Sequence, residues 1–271
     1  MLSGLFIGTF IVFSSNYPPI AWLGLELNMM CFLGLAMIKV NSKKCAMLYY
    51  VVQSTGSLLI LFAGLSNQVM VMSLGILFKL GMIPVHFWVR DVIYCLAPPF
   101  LFLFLTWQKL APLVMMFSCF IDIKFFALFN VWFGAYPIAS MSEPVFLLMV
   151  LLMVSGFIQL GWIAVLYGFI FFYFIVLYFL MLIPVIYFIK SCNPSFTLAI
   201  CNIAGIPPFT GFWIKLKALY ILSFLMSATL LMGNSIAIIS YIRLMINPVY
   251  SLTNVSPILV LPLVVGMFSK K

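Results

Sequence analysis

Four charged side chains lie within stretches of sequence that are otherwise apolar, and each lies in a different stretch. They are Glu26, Lys79, Lys109 and Lys215. A charged side chain at the centre of a membrane helix costs about 2.5–3.5 kcal/mol on insertion scales, so it is retained mainly where it faces protein or water. Carboxylates and ammonium groups can also hold and release protons. The four residues are therefore functional candidates.

Lys79 stands in the stretch LGILFKLGMIPVHFWVR, residues 74–90. Five residues after Lys79, Pro84 has no backbone N–H, and its ring crowds the carbonyl group of residue 80. The sequence therefore predicts that regular helical bonding is lost near residues 80–84, next to a buried charge.

A second stretch of this kind, AGIPPFTGFWIK, covers residues 204–215 and ends at Lys215. Pro207 and Pro208 free the carbonyl oxygens of residues 203 and 204, and the glycines of this stretch weaken the helix further. We expect this segment to be discontinuous near residues 203–208.

Glu26 is one of only four acidic residues in the chain. A lone buried carboxylate would take up a proton, so an ionised Glu26 requires a cation nearby. Lys79 is the first partner that we propose, because a helix bundle can bring their two spans into contact. Opposite charges about 4 Å apart interact by about 4 kcal/mol at an effective dielectric constant near 20. Breaking such a pair would favour release of a proton, which is the physical basis of a proton switch.

Each of these charges also has a second interpretation. Lys79 and Lys109 could extend their ammonium groups to the membrane interface. Lys215 is accompanied by Lys217, so the two could form an interfacial pair. Glu26 could be a neutral, hydrogen-bonded structural carboxyl group.

The composition predicts an integral membrane protein. Of the 271 residues, 66% are hydrophobic and 6% are charged, whereas about a quarter of the residues of a typical soluble domain are charged. We expect one polytopic membrane domain over residues 1–271. The net charge of +9 comes from 13 basic and four acidic residues, which indicates membrane anchoring and not nucleic-acid binding.

Motifs for cofactors are missing from the sequence. The six cysteines lie far apart without a C-x-x-C pair, so they do not indicate a disulfide scaffold, a zinc site or an iron–sulfur cluster. The sequence also contains neither G-x-G-x-x-G nor G-x-x-x-x-G-K-[ST]. We therefore expect no cofactor and no metal in this chain.

An all-α polytopic fold with about eleven transmembrane helices follows from the spacing of turn signals, because each span needs about 20 apolar residues. We read the N-terminus as the first span and not as a signal peptide. We expect the third span to carry a polar face of Gln53, Ser54 and Thr55, and the eighth to face lipid. The predicted spans are 2–16, 20–39, 45–65, 69–89, 100–120, 125–139, 145–165, 168–189, 196–222, 225–247 and 254–269.

Two proline-interrupted segments that carry lysine, one in each half of the chain, are typical of inverted-repeat transporters with an ion site near the midplane. The alternative is that Pro and Gly are simply common in membrane helices.

Four motifs, in this order and spacing, resemble a known family. They are WLGLELN at 22–28, KLGMIPVHFW at 79–88, TWQKLAP at 106–112 and AGIPPFTGF at 204–212. The family is that of the antiporter-like membrane subunits of mitochondrial NADH:ubiquinone oxidoreductase, the respiratory complex I. Weaker support comes from SGFIQLGW at 155–162.

The resemblance implies a proton-translocating subunit built from two inverted five-helix repeats with two broken helices. By position, Glu26 and Lys79 resemble the acid–lysine pair of the family. Lys109 resembles the central lysine, and Lys215 resembles the lysine near the second broken helix. This chain departs from the family at Gln159, where a histidine is common.

The resemblance also implies a setting for the chain. It predicts NADH:ubiquinone reductase activity for the whole complex, with NADH, FMN, iron–sulfur clusters and ubiquinone in partner subunits. The implied partners are neighbouring antiporter-like and small membrane subunits and lipids such as cardiolipin, in the mitochondrial inner membrane. Two alternatives stay open: a free-standing cation/proton antiporter subunit, and a structural membrane subunit whose lysines are inert.

Overall fold

The computed structural model describes residues 1–37, 43–118, 128, 130–132, 144–188 and 194–246, and all regular secondary structure in these ranges is helical. The chain divides into two compact units, Met1–Ile123 and Lys124–Lys271. A single membrane domain over the whole chain stays a prediction.

Unit 1 contains seven helical segments in its described part. The first three correspond closely to the first three predicted spans, whereas the fourth and fifth predicted spans each consist of two segments. The segments are α1 (Leu2–Ser14), α2 (Pro18–Met37), α3 (Lys43–Ser66), α4 (Val69–Leu80), α5 (Phe87–Cys95), α6 (Pro98–Leu105) and α7 (Trp107–Ser118).

Besides the helical residues at 128 and 130–132, unit 2 contains five helical segments in its described part. The predicted sixth span lies outside the described residues except for 128 and 130–132, and the predicted eleventh span, 254–269, lies wholly outside them. The segments are α8 (Pro144–Val165), α9 (Phe169–Phe188), α10 (Pro194–Ala204), α11 (Thr210–Leu219) and α12 (Phe224–Ile246).

Four helical stretches of the described chain are long and apolar enough to cross a membrane, and shorter apolar helices accompany them. The four stretches are Pro18–Ala36, Lys43–Ser66, Pro98–Phe117 and Phe169–Tyr187. The predicted all-α polytopic fold is confirmed, and eleven spans are roughly consistent with the structure. The protein is therefore a multi-pass membrane protein.

Glycines let two pairs of helices in unit 1 approach closely. A Cβ atom on Gly24 of α2 would lie 2.7 Å from the carbonyl oxygen of Gly8 on α1. A Cβ atom on Gly75 of α4 would lie 2.9 Å from the carbonyl oxygen of Gly56 on α3. Such contacts are typical of membrane helices, because small residues allow backbones to pack tightly where no hydrophobic effect drives association.

The buried face of α3 differs from the predicted polar face. Thr55 is exposed and Ser54 is half-buried, and their hydroxyl groups donate to carbonyl oxygens of the preceding turn of the same helix. The prediction was right only for Gln53, since a helix buries positions three and four residues apart and not consecutive ones. The buried residues of α3 are Ala46, Tyr49, Gln53, Gly56, Ser57, Ile60 and Ala63.

The prediction that the eighth span faces lipid fits only one side of α9, which carries exposed side chains such as Val176 and Tyr187. The opposite side is buried within unit 2, where it packs against α8, α10 and α11. An apolar helix gives no contrast between its lipid-facing and protein-facing sides, so hydropathy could not identify the buried side. Its most buried side chains are Phe171, Phe174, Tyr178, Leu182 and Val185, and all are at most 2% exposed.

A disulfide joins Cys45, near the start of α3, to Cys95 at the end of α5. The spacing of the cysteines did not indicate it, because the two residues are 50 positions apart in the sequence. The packing of α5 against α3 brings them together.

We predict that Gly75→Val separates α3 from α4 and destabilises the protein by about 1–3 kcal/mol, the usual cost of overpacking a tight contact. The measurement is the thermal unfolding midpoint of the purified protein in mild detergent. Leu74→Val installs the same side chain on the exposed side of α4 and should leave the midpoint nearly unchanged. Equal midpoints for the two variants would show that the Gly56–Gly75 contact is not tight.

Candidate functional site

The first broken helix contains a gap between α4 and α5, as predicted. Helix α4 ends at Leu80, and Gly81 adopts a left-handed conformation with φ of 67°. The N–H group of Met82 then donates to the carbonyl oxygen of Leu77 at 3.1 Å. This is a glycine-terminated helix end. The helix therefore ends at a glycine before the proline is reached, whereas the sequence assigned the break to Pro84.

The second broken helix repeats this arrangement in unit 2. Helix α10 ends at Ala204, and Gly205 follows with φ of 78°. The N–H group of Ile206 donates to the carbonyl oxygen of Cys201 at 3.3 Å. Helix α11 begins at Thr210. Both predicted breaks are confirmed, and in both a left-handed glycine ends the helix two to three residues before the first proline.

Lys79 lies in the interior of unit 1, where it is 5% exposed. It belongs to the last turn of α4, and its side chain packs against Gly56 of α3. Its backbone carbonyl accepts a hydrogen bond from Nε2 of Gln53 at 3.3 Å. Helix α3 therefore both contacts the Lys79 side chain and satisfies a carbonyl at the broken end of α4.

Glu26 lies on α2 and is half-buried. Its Oε1 atom accepts a hydrogen bond from the hydroxyl group of Ser57 on α3, and its charge interacts electrostatically with that of Lys79. The only salt bridge among the described residues joins Arg90 to Asp91. Glu26 and Lys79 thus influence each other without direct contact, so their interaction is weaker than that of a pair about 4 Å apart.

Lys109 is also buried in unit 1, with 6% of its surface exposed. Its span is interrupted at Thr106, which separates α6 from α7, and Pro112 lies within α7. Because proline has no N–H, the carbonyl oxygen of Gln108 lacks its usual helical partner. Lys109 makes no side-chain hydrogen bond or salt bridge within the described part of the chain. An ammonium group in this position requires water or a further partner.

A chain of hydrogen-bonded, neutral side chains includes Gln108, the residue before Lys109. The Tyr49 hydroxyl donates to Oε1 of Gln108 at 3.2 Å, and Nε2 of Gln108 donates to Oδ1 of Asn28 at 3.1 Å. These bonds join α3, α7 and α2. Tyr49 and Asn28 are both buried, so the bonds fix the orientation of α7 near the buried lysine.

Lys215 is held entirely by neutral acceptors in the described part of unit 2. Its Nζ atom donates to the carbonyl oxygen of Ala204 at 2.8 Å and to Oδ1 of Asn234 at 2.6 Å. Lys217 is separate from it and lies 4.9 Å from the centre of the Tyr173 ring, a distance that suits a cation–π contact. The two lysines therefore lie in different surroundings and do not form an interfacial pair.

The two carbonyl oxygens that Pro207 and Pro208 were predicted to free both have partners. The carbonyl of residue 204 accepts from Lys215, and that of Ile203 accepts from Nε2 of Gln159 on α8 at 3.1 Å. Gln159, which departs from the family pattern, thus satisfies the broken end of α10.

The start of α11 is held from across the gap by Asn202 of α10. Its Oδ1 atom accepts from the Thr210 hydroxyl at 2.7 Å and from the N–H group of Gly211 at 3.0 Å. The side chain of one half-helix therefore caps the other half and keeps the gap at a fixed width.

Three of the four predicted site residues belong to unit 1: Glu26, Lys79 and Lys109. Lys79 and Lys109 are buried, and Glu26 is half-buried. Lys215 occupies the corresponding broken helix of unit 2. The sequence analysis missed the partners Ser57, Asn202 and Asn234. Its spacing from Gln53 could have identified Ser57, because residues four positions apart lie on the same face of a helix.

Comparisons with known proteins agree with this architecture. No protein-family model matches the chain. One chain of the Mrp complex from Dietzia sp. superimposes with a TM-score of 0.76 and 12% identity, over 94% of this chain and 60% of that chain. A chain of the archaeal membrane-bound sulfane sulfur reductase superimposes with a TM-score of 0.70 and 16% identity, over 98% of this chain and 58% of that chain. These identities support the fold alone.

The fold of this multi-pass membrane protein, with its two broken helices and buried lysines, is thus similar to that of these chains from membrane complexes. The sequence of the protein is similar to that of NADH-ubiquinone oxidoreductase chain 2. The protein of that name from Hylobates lar is 28% identical over 289 residues, which cover 89% of this chain and 81% of that protein. The one from Symphalangus syndactylus is 39% identical over 136 residues, which cover 44% of this chain and 39% of that protein. The resemblance indicated by the motifs is confirmed.

We predict that Gly205→Ala displaces Lys215. A Cβ atom at this position would lie 2.9 Å from Nζ of Lys215, and the left-handed backbone adds about 1–2 kcal/mol for a residue other than glycine. Gly168 also has a positive φ but has open space around it, so Gly168→Ala carries the backbone cost alone. We expect Gly205→Ala to lower the thermal unfolding midpoint more than Gly168→Ala does. Equal shifts would mean that Lys215 adapts without loss.

Proposed function

We propose that this chain is a core membrane-arm subunit of respiratory complex I, in which it contributes to proton translocation coupled to electron transfer from NADH to ubiquinone. The similarity to NADH-ubiquinone oxidoreductase chain 2 over 89% of the chain supports this assignment. The observation that carries the proton-translocation role is the burial of Lys79 at a broken helix end with Glu26 within electrostatic range.

The proposed chemistry is the uptake and release of protons by Glu26, Lys79, Lys109 and Lys215. A proton on Lys79 is favoured while Glu26 is ionised, and it is released when Glu26 is neutralised or moves away. Lys109 has no partner within the described residues, which suits a group that receives a proton and passes it on. Moving each charge against the membrane potential costs about 2.3 kcal/mol per 100 mV, so a path requires sites whose occupancy can be switched.

Water is needed to connect these groups, and the surroundings of Lys215 offer space for it. A cavity of about 630 Å³ lies beside Lys215 and Asn234, and its other walls are mainly apolar. Ordered water requires both room and polar partners. In this proposal, Lys215 and Asn234 are the polar partners that hold water at one end of the cavity.

Electron transfer is assigned to partner subunits. In this proposal NADH, FMN, iron–sulfur clusters and ubiquinone bind elsewhere in the complex, and this chain has NADH:ubiquinone reductase activity only as part of the assembly. Its partners are neighbouring antiporter-like and small membrane subunits, together with lipids such as cardiolipin. Its location is the mitochondrial inner membrane.

A free-standing cation/proton antiporter subunit is the second candidate, because one structural neighbour is part of an Mrp complex. The sequence similarity favours complex I. Native electrophoresis of membranes in mild detergent separates the two possibilities. We expect the chain to migrate with NADH oxidation activity, whereas migration apart from that activity would support the antiporter.

We predict that Lys79→Met leaves assembly largely intact but lowers proton pumping about tenfold or more. Met has a similar length and adapts to irregular packing, so little packing is lost. The switchable charge is lost, and each 1.36 kcal/mol added to the barrier slows a step tenfold. The measurement is proton uptake per NADH oxidised in vesicles that contain the complex.

Lys217→Met is the matched control, because it removes an ammonium group two residues from Lys215 that contacts Tyr173 outside the proposed path. We expect pumping close to that of the unmodified complex. If Lys79→Met also pumped normally, Lys79 would be a structural residue, and the proton switch would have to lie elsewhere.

A further inference from the structure

The hydroxyl group of Ser57 occupies an unusual place in unit 1. Ser57 is 0% exposed, and its Oγ atom lies within hydrogen-bonding distance of two acceptors. One is Oε1 of Glu26 on the neighbouring helix. The other is the carbonyl oxygen of Ser54, one turn earlier in α3, at 2.8 Å. A serine hydroxyl has one hydrogen and two lone pairs, so it cannot donate to both acceptors at once.

The two acceptors define two complete hydrogen-bonding states. When Glu26 is ionised, the Ser57 hydroxyl donates to the carboxylate. When Glu26 is protonated, the carboxyl O–H donates to Oγ of Ser57, and the Ser57 hydroxyl donates to the carbonyl of Ser54. The hydroxyl hydrogen of Ser57 rotates from one acceptor to the other. Glu26 gains one proton, and no other proton is added or lost.

Ser57 also lies on the part of α3 that contacts Lys79. Gly56, its neighbour, packs against the Lys79 side chain, and Gln53, one turn earlier, donates to the Lys79 carbonyl. Ser57 makes the one side-chain hydrogen bond of Glu26 among the described residues. One face of α3 thus holds both members of the acid–lysine pair.

We propose that Ser57 is a positioning residue that keeps the Glu26 carboxyl group hydrogen-bonded in both protonation states, so that its proton occupancy responds to the charge on Lys79. A half-buried carboxyl group that lost its hydrogen bond in one protonation state would favour the other state, because a polar group that is shielded from water and unsatisfied is costly. The two acceptors of Ser57 keep the carboxyl group hydrogen-bonded in both states. This inference rests on the proposed function, since it assigns a role within the same proton path.

The test compares Ser57→Ala with Ser54→Ala in the assembled complex. Both changes remove a serine hydroxyl from α3. The Ser54 hydroxyl donates to the carbonyl of Val51 on its own helix and does not contact Glu26. Ser57→Ala removes the hydrogen-bond partner of Glu26 and creates no steric conflict.

Infrared difference spectroscopy during turnover gives the decisive signal. The C=O stretching band of protonated Glu26 is identified by its loss in Glu26→Gln. We expect this band to move to higher wavenumber in Ser57→Ala and to stay in place in Ser54→Ala. We also expect coupled pumping to fall about tenfold in Ser57→Ala, the factor that corresponds to losing one hydrogen bond to a carboxylate.

If Ser57→Ala does not assemble, Ser57→Cys replaces it, because a thiol is a weak donor of similar size. An intermediate band shift in that variant supports the inference. An unchanged Glu26 band together with unchanged pumping in Ser57→Ala or Ser57→Cys overturns it. Failure of the proposed function itself is recognised separately, because Lys79→Met would then pump normally whatever the state of Ser57.

Discussion

The cost of an ammonium group in an apolar interior determines how this protein is arranged. Three lysines are at least nine-tenths buried in the described part of the chain, whereas Glu26 is only half-buried. Such cations persist only where oxygen atoms or water compensate them. The broken helix of unit 2 provides such an oxygen atom to Lys215, because a helix that ends inside the protein exposes carbonyl groups that a continuous helix would use internally.

The two units satisfy this requirement with different chemistry. In unit 1 the lysine interacts with a carboxylate, Glu26, and Ser57 and Gln53 hold the two groups in place. In unit 2 the lysine binds a backbone carbonyl and an asparagine, and a glutamine occupies the adjacent carbonyl. The first arrangement includes an acidic side chain. The second surrounds the ammonium group with neutral acceptors.

The sequence was sufficient to predict most of the helices in the described ranges, both breaks and the burial of Lys79, Lys109 and Lys215, because proline, glycine and isolated charges stand out in apolar sequence. It assigned the breaks to proline, whereas glycines in the left-handed conformation end both half-helices. That distinction depends on backbone angles, which composition does not reveal. Ser57, Asn202 and Asn234 were missed for another reason: neutral polar residues are common in membrane helices, and only packing shows which of them face a charge. The disulfide and the buried side of α9 likewise depend on how helices pack.

The position of the two lysines relative to the helix ends has an electrostatic consequence. Lys79 lies in the last turn of α4, and Lys215 reaches across a gap to the last carbonyl of α10. The aligned peptide dipoles of a helix place about half a negative charge at its C-terminal end, which stabilises a nearby cation by about 0.3–2 kcal/mol. This contribution exists only while the helix stays interrupted, since a continuous helix would move its negative end elsewhere. Any movement that narrows or closes either gap would therefore destabilise the lysine charge, and it would link the shape of the backbone directly to the number of protons that the protein holds.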